Sequence, residues 1–102
     1  MVKFIWDERK NHANIRKHGV DFNDAVRAWY DPDRLDFFDT AHSSNEARWI
    51  FLGAAAGVVL FVVETEPDKE TVRIISARKA SMREQEVYYG NSNKNPRKSA
   101  PP

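Results

Sequence analysis

Apolar positions along the chain fall into short elements that follow one another closely. Phe4-Ile5-Trp6 is a brief apolar run, which suits an edge strand or a plug beneath the first helix. Asp7 has the character of an N-cap, and the helix formers after it predict a helix over 8–18. That helix is mostly polar, with Ala13 and Ile15 as its few apolar anchors, and Gly19 supplies a left-handed stop. A second helix begins almost at once. Asp21 can cap it, Val20 and Ala25 have the spacing of a hydrophobic staple, and Phe22, Val26, Trp29 and Tyr30 share one stripe. Asp31-Pro32-Asp33 ends it, because the residue before a proline disfavours helix.

The middle of the chain changes period. Leu35–Asp39 is a short strand candidate, 41–45 reads as a loop, Arg48–Leu52 is rich in large side chains, and Val58–Val63 is nearly continuous. Gly53-Ala54-Ala55-Ala56-Gly57 is expected to connect the last two as a hairpin, each glycine relieving the backbone restriction. Pro67-Asp68 marks the next turn and Thr71–Ala77 the last strand. Ser81-Met82-Arg83-Glu84 is a capping box opening a short helix through Tyr89, with Met82, Glu86 and Tyr89 on one face and one of Tyr88 and Tyr89 in the core. Residues 90–102 hold three Pro, three Asn and two Ser and no aliphatic side chain larger than Ala, so a disordered basic tail is expected there. The class is α+β: one domain over 1–89, with two N-terminal helices and one C-terminal helix packed on one face of a small antiparallel sheet.

Composition agrees with a single core. The 102 residues are 41% hydrophobic and include three Trp, three Tyr and six Phe, and large rings supply much burial per residue. With no cysteine, disulfide scaffolds, Cys-ligated metal sites and thiol nucleophiles are excluded. The longest apolar stretch, 53–63, is about half of the ~20 residues that a membrane span needs. The N-terminus becomes charged before a signal sequence could form, so a cytoplasmic location without membrane contact is expected.

Charge adds a sharper picture. The net charge of +1 conceals segregation: 3–18 carries Lys3, Arg9, Lys10, Arg16 and Lys17 against Asp7 and Glu8, whereas 19–47 holds seven acids against Arg27 and Arg34. Residues 71–83 contain the bases Arg73, Arg78, Lys79 and Arg83, and separated basic segments can build one positive face for a polyanion. His12, His18 and His42 lack metal-ligand spacing, and phosphate-binding glycine loops and nucleophile elbows are absent from the sequence. Lys10, Asn14 and His18 line one polar helix face. The alternative reading has Lys17 and His18 compensating the helix dipole, and the strand arginines pairing with Glu46, Glu64 or Glu66.

Three blocks of spaced residues carry a family resemblance. Phe4-x-Trp6-Asp7-x-x-Lys10-x-x-x-Asn14-x-x-Lys17-His18-Gly19-x-x-Phe22, then Asp31-Pro32 with Glu46-x-Arg48-Trp49-x-x-x-Gly53, then Arg73-Ile74-Ile75-Ser76-Ala77-Arg78-x-Ala80-x-x-x-Glu84 resemble the BrnT toxins of bacterial toxin–antitoxin systems. The resemblance spans 4–89. It implies a RelE-like fold and a metal-independent endoribonuclease that cuts messenger RNA, needs no cofactor, and stops growth by blocking translation. It implies as partners a BrnA-like antitoxin in a hetero-oligomer, with operator DNA reached only through that antitoxin. On this basis Arg48 and Arg78 are expected at the scissile phosphate, His18 or Lys17 in proton transfer, and Lys10, Arg73 and Arg83 on flanking phosphates. The chain departs from the family in its Ala54-Ala55-Ala56 turn, where many relatives carry an Arg or Lys, and in its Pro-rich tail. A non-catalytic module that binds nucleic acid or a partner protein through the same fold is the alternative.

Overall fold

The computed structural model describes residues 1–43 and 46–94. Among these, five strands form one sheet in the order β1-β5-β4-β3-β2: β1 (Lys3–Ile5), β2 (Leu35–Phe38), β3 (Arg48–Ala55), β4 (Val58–Asp68) and β5 (Thr71–Lys79). The helices are α1 (Glu8–His18), α2 (Phe22–Trp29) and α3 (Met82–Lys94), with a single 3-10 turn at Thr40–His42. The class is α+β.

The sheet is mixed rather than antiparallel. Strands β2 to β5 pair antiparallel through short connections, but β1 pairs parallel with β5. A tight connection dictates antiparallel pairing only between strands it joins directly. Nothing of that kind joins β1 to β5. Phe4 instead packs edge-on against Trp29 of α2, with ring centroids 5.3 Å apart.

Nor do all helices share one face. Phe51, Leu60, Val62, Ile74 and Ala77 meet Phe22, Ala25 and Ala28 of α2 in one core, while Leu35, Leu52 and Val59 meet Ala80 and Tyr88 in a second. The alternate positions of β3 and β4 are apolar on both sides, so both faces need cover, and α3 supplies the second. Asp31 ties this arrangement together, its carboxylate accepting from the Ala54 amide at 2.7 Å and from the Tyr88 hydroxyl. Tyr88 is therefore the buried tyrosine, whereas Met82 and Tyr89 face solvent.

Local rules explain the helix ends. Asp7 accepts from the Arg9 amide at 2.8 Å, Asp21 from the Asn23 amide at 2.9 Å, and Gly19 turns left-handed at φ 71° with its amide on the Ile15 carbonyl. Tyr30 leaves the expected stripe because α2 stops at Trp29, and its side chain stands 60% exposed. The capping box forms as expected, with Glu84 N–H donating to Ser81 Oγ at 3.1 Å and Ser81 N–H to Glu84 Oε1 at 2.8 Å. α3 continues past Tyr89 to Lys94, where the next sequence barrier to helix is Asn95-Pro96. The rest of the expected tail, 95–102, lies outside the described residues, as do Ser44 and Asn45 of the expected loop.

Gly53 is not part of the hairpin turn. β3 runs on to Ala55, and the connection is Ala56-Gly57, both with positive φ (51° and 81°), the geometry of a two-residue hairpin. Gly53 lies mid-strand beneath α2, where a Cβ would come 2.4 Å from the Ala28 carbonyl oxygen. The glycine lets the helix sit on the sheet.

Candidate functional site

The first half of the site begins with an exposed strand edge. β1 pairs with β5 only over Thr71–Arg73, which leaves the backbone farther along β5 without a strand neighbour on that side. Asn14 of α1 takes that place: its Nδ2 donates to the Ala77 carbonyl at 2.7 Å and to the Val20 carbonyl at 2.9 Å, and its Oδ1 accepts from the Ala77 amide at 3.1 Å. Asn11 does the same for the helix junction, accepting from the Phe22 amide at 2.9 Å. These two buried asparagines, and not Ala13 and exposed Ile15, anchor α1. The expected polar face of Lys10, Asn14 and His18 is thus split, with Asn14 turned inward as a structural group.

Fixing α1 this way presents Lys10, Lys17 and His18 around a shallow cavity of about 200 Å³, lined also by Ala13, Asn14, Ile75 and Ser76. The register between β4 and β5 slips here, Val63 pairing with Ser76 and Glu64 with Ile74, so Ile75 is the extra residue of a bulge. Bulges bend a strand and re-aim its side chains, and this one brings β5 up to the basic end of α1. Three of the seven residues singled out in the sequence therefore converge.

The arginines occupy the opposite sheet face, the one that α3 covers at one end. Arg48, Thr65 and Arg73 stand in one register row across β3, β4 and β5. With neighbouring strands ~4.8 Å apart, the two arginine Cα atoms are separated by ~10 Å, within reach of one shared anion. Arg78 stands opposite Phe61, four residues before Thr65 on β4, so it lies ~16 Å from Arg48. Arg48 and Arg78 do not converge on one point.

Their partners differ as well. Arg78 stacks over the Phe61 ring at 4.0 Å and grips Glu84 through two bonds of 2.9 and 3.0 Å, joining β5 to the start of α3. That guanidinium, followed by the Ser81 amide and then the Ser81 hydroxyl, holds the Glu84 carboxyl below its ordinary range. Arg73 meets Glu46 at 3.4 Å, one of the cross-strand pairings open from sequence. Arg48 is half-buried, and its Nε has no hydrogen-bond partner among the described residues. Arg83 projects from the first turn of α3 into solvent.

Glu64 was expected only as a partner for a strand arginine and Thr65 was not singled out, yet both are buried. Glu64, 2% exposed, sits on the helix-facing side of β4, where burial and then the neighbouring Glu66 and Asp36 carboxylates push its pKa up to about 8. Arg34 lies nearby, held by the Trp29 carbonyl at 2.6 Å and Asp36 at 2.8 Å and stacked 4.3 Å above the Trp29 ring. Thr65, 4% exposed, has a hydroxyl with no hydrogen-bond partner among the described residues. The hint for both was two polar residues directly continuing the apolar Val58–Val63 run. Among the described residues, no group of three or more His, Cys, Asp or Glu side chains is placed to hold a metal ion, and no helix is long and apolar enough to cross a membrane.

Comparisons with known proteins agree on one family. Residues 6–84 match the family model of the ribonuclease toxin BrnT of type II toxin–antitoxin systems. The fold matches the 1.1 Å crystal structure of the Brucella abortus ribonuclease toxin BrnT with a TM-score of 0.64 and 30% sequence identity, over 80% of this chain and 100% of that one. A search of curated proteins by sequence found no match.

Proposed function

The chain belongs to the BrnT family of ribonuclease toxins of type II toxin–antitoxin systems, and we propose that it is a metal-independent endoribonuclease that cuts messenger RNA and is silenced by a BrnA-like antitoxin. The observation that carries this reading is the convergence of Lys10, Lys17 and His18 on the β5 bulge. The protein is accordingly assigned to the cytoplasm, where it would meet its messenger RNA substrate and be held in a toxin–antitoxin hetero-oligomer. Operator DNA is contacted only through the antitoxin.

Without a metal, the ribose 2′-hydroxyl serves as nucleophile. Its oxygen attacks the adjacent phosphorus, the 5′-oxygen of the next nucleotide leaves, and the ends are a 2′,3′-cyclic phosphate and a 5′-hydroxyl. One proton leaves the 2′-oxygen and one arrives on the leaving oxygen, while charge builds on the phosphoryl oxygens. His18, half-buried at the rim of the cavity, moves a proton, as histidine commonly does near neutral pH, with Lys17 beside it. Lys10 and Lys17 offset the phosphate charge. Arg48 and Arg73 bind a phosphate on the neighbouring sheet face, Arg78 meets another along the strand through N–H groups that Glu84 leaves unused, and Arg83 offers a further cation from the start of α3.

Expression of the chain alone in bacteria tests this. Growth arrest is expected, relieved by co-expression of the antitoxin and by His18→Ala, a change at a partly exposed side chain that leaves the fold intact. Continued toxicity of His18→Ala at equal protein level would remove His18 from proton transfer. Salt-sensitive RNA binding with no cleavage product would instead establish the non-catalytic module.

A further inference from the structure

We propose that Arg48, Thr65 and Arg73 form a single phosphodiester-binding subsite for the RNA strand, with Glu46 as the anion that pairs with its Arg73 edge when RNA is absent. This rests on the ribonuclease reading and adds to it a defined place on the sheet face that α3 covers only at one end, reached once the side chains over buried Thr65 move aside. Two buried polar groups without hydrogen-bond partners among the described residues stand side by side in the same register row: the Arg48 Nε and the Thr65 hydroxyl. Each such group costs folding stability unless something pairs with it, and a pair of adjacent donors turned to one face matches the oxygens of an oxyanion. Arg73 flanks the same threonine from β5. A phosphate above Thr65 is therefore within reach of both guanidinium groups.

Glu46 fits the role of displaceable occupant. Its two carboxylate oxygens lie 3.4 Å from a single Arg73 nitrogen, a long contact between side chains 39% and 41% exposed. Exposed pairs of this kind hold weakly, so a phosphate diester can replace the carboxylate. Arg78 behaves differently, because two short bonds and the Phe61 ring secure it to Glu84. The row is also separate from the cavity at Lys10, Lys17 and His18, so an RNA strand reaching both would wrap the β5 edge.

The test is binding of an uncleavable single-stranded 2′-O-methyl RNA to the full chain, followed by fluorescence anisotropy at several salt concentrations. Thr65→Val keeps the side-chain shape and removes the hydroxyl; it is expected to weaken binding about tenfold with the salt slope unchanged. Thr65→Ser should restore affinity. Arg73→Ala should weaken binding and lower the salt slope by about 1, and Glu46→Gln should tighten it about threefold. Unchanged affinity in both Thr65→Val and Arg73→Ala, with wild-type circular dichroism, would overturn the subsite while leaving the ribonuclease reading standing. No RNA binding by the wild-type chain would overturn both.

Discussion

Asn14→Ala separates a structural role from a functional one most cleanly. In sequence Asn14 belongs to a polar face with Lys10 and His18, a pattern suited to RNA contact. In the structure its amide stands in for a missing strand, joined to the Ala77 amide and carbonyl and to the Val20 carbonyl by bonds of 3.1, 2.7 and 2.9 Å. Truncation strands one buried N–H and weakens the satisfaction of two carbonyls. At about 1–3 kcal/mol for each buried group left unpaired, and allowing for water entry, the loss comes to about 3–5 kcal/mol. A domain of this size unfolds with about 5–15 kcal/mol, so the variant loses a large share of its stability. Urea unfolding followed by tryptophan fluorescence measures it, with Lys10→Ala, one turn away and exposed, as a control expected to shift by less than about 0.5 kcal/mol. Asn14→Asp should be at least as damaging at pH 7, where a carboxylate faces two carbonyls, and should recover part of the loss near pH 4, where a protonated acid can donate. An Asn14→Ala midpoint within about 1 kcal/mol of wild type would refute the strand-replacement role.

Other consequences follow from particular contacts. Gly53→Ala drives a methyl group against the backbone oxygen of Ala28, so α2 must move away; a loss at or above the usual 1–3 kcal/mol of overpacking is expected in the same urea assay. Glu64 has a folded-state pKa above its unfolded value, so the folded protein holds that proton more tightly. The stability it contributes is full below about pH 4.5 and is lost as pH rises to about 8, by about 1.4 kcal/mol per pH unit between those limits. Glu64→Gln should flatten that slope and raise the melting temperature at pH 8, and an unchanged pH profile would show that Glu64 does not titrate there. Arg78→Ala breaks the link between β5 and α3; it should cost about 1–2 kcal/mol and also reduce toxicity, so Glu84→Ala serves as the comparison that loosens the clamp but keeps the charge. A Glu84→Ala chain that is destabilised yet fully toxic, beside a non-toxic Arg78→Ala, assigns Arg78 to RNA.

Much of the fold was legible because local chemistry sets it. Asp7, Gly19, Asp21 and the Ser81–Glu84 box cap where their residue types require, and the apolar runs of β3 and β4 form adjacent strands. The misreadings arose where a long-range partner decided the outcome. Two glycines framing three alanines suggested a turn, but the need of Gly53 comes from a helix 25 residues earlier in the chain. The parallel pairing of β1 and the placing of α3 on the second face likewise depend on packing between distant segments. At the site, helical spacing grouped Lys10 with His18, and no spacing rule could bring them to Ile75 and Ser76, since that meeting depends on a β-bulge. The Arg48–Thr65–Arg73 row was hidden for the same reason: register across three strands is not written in any one of them.

Metal-independent RNA cleavage by the isolated chain is the central claim, and one assay reaches it directly. Purified protein free of antitoxin is incubated with single-stranded RNA in excess EDTA, beside His18→Ala and Arg48→Ala, and the ends of the products are identified. Cleavage that persists in EDTA, leaves 2′,3′-cyclic phosphate ends and falls at least a hundredfold in His18→Ala is the expected result. Cleavage abolished by EDTA and restored by a divalent cation, or undiminished in both variants, would contradict it.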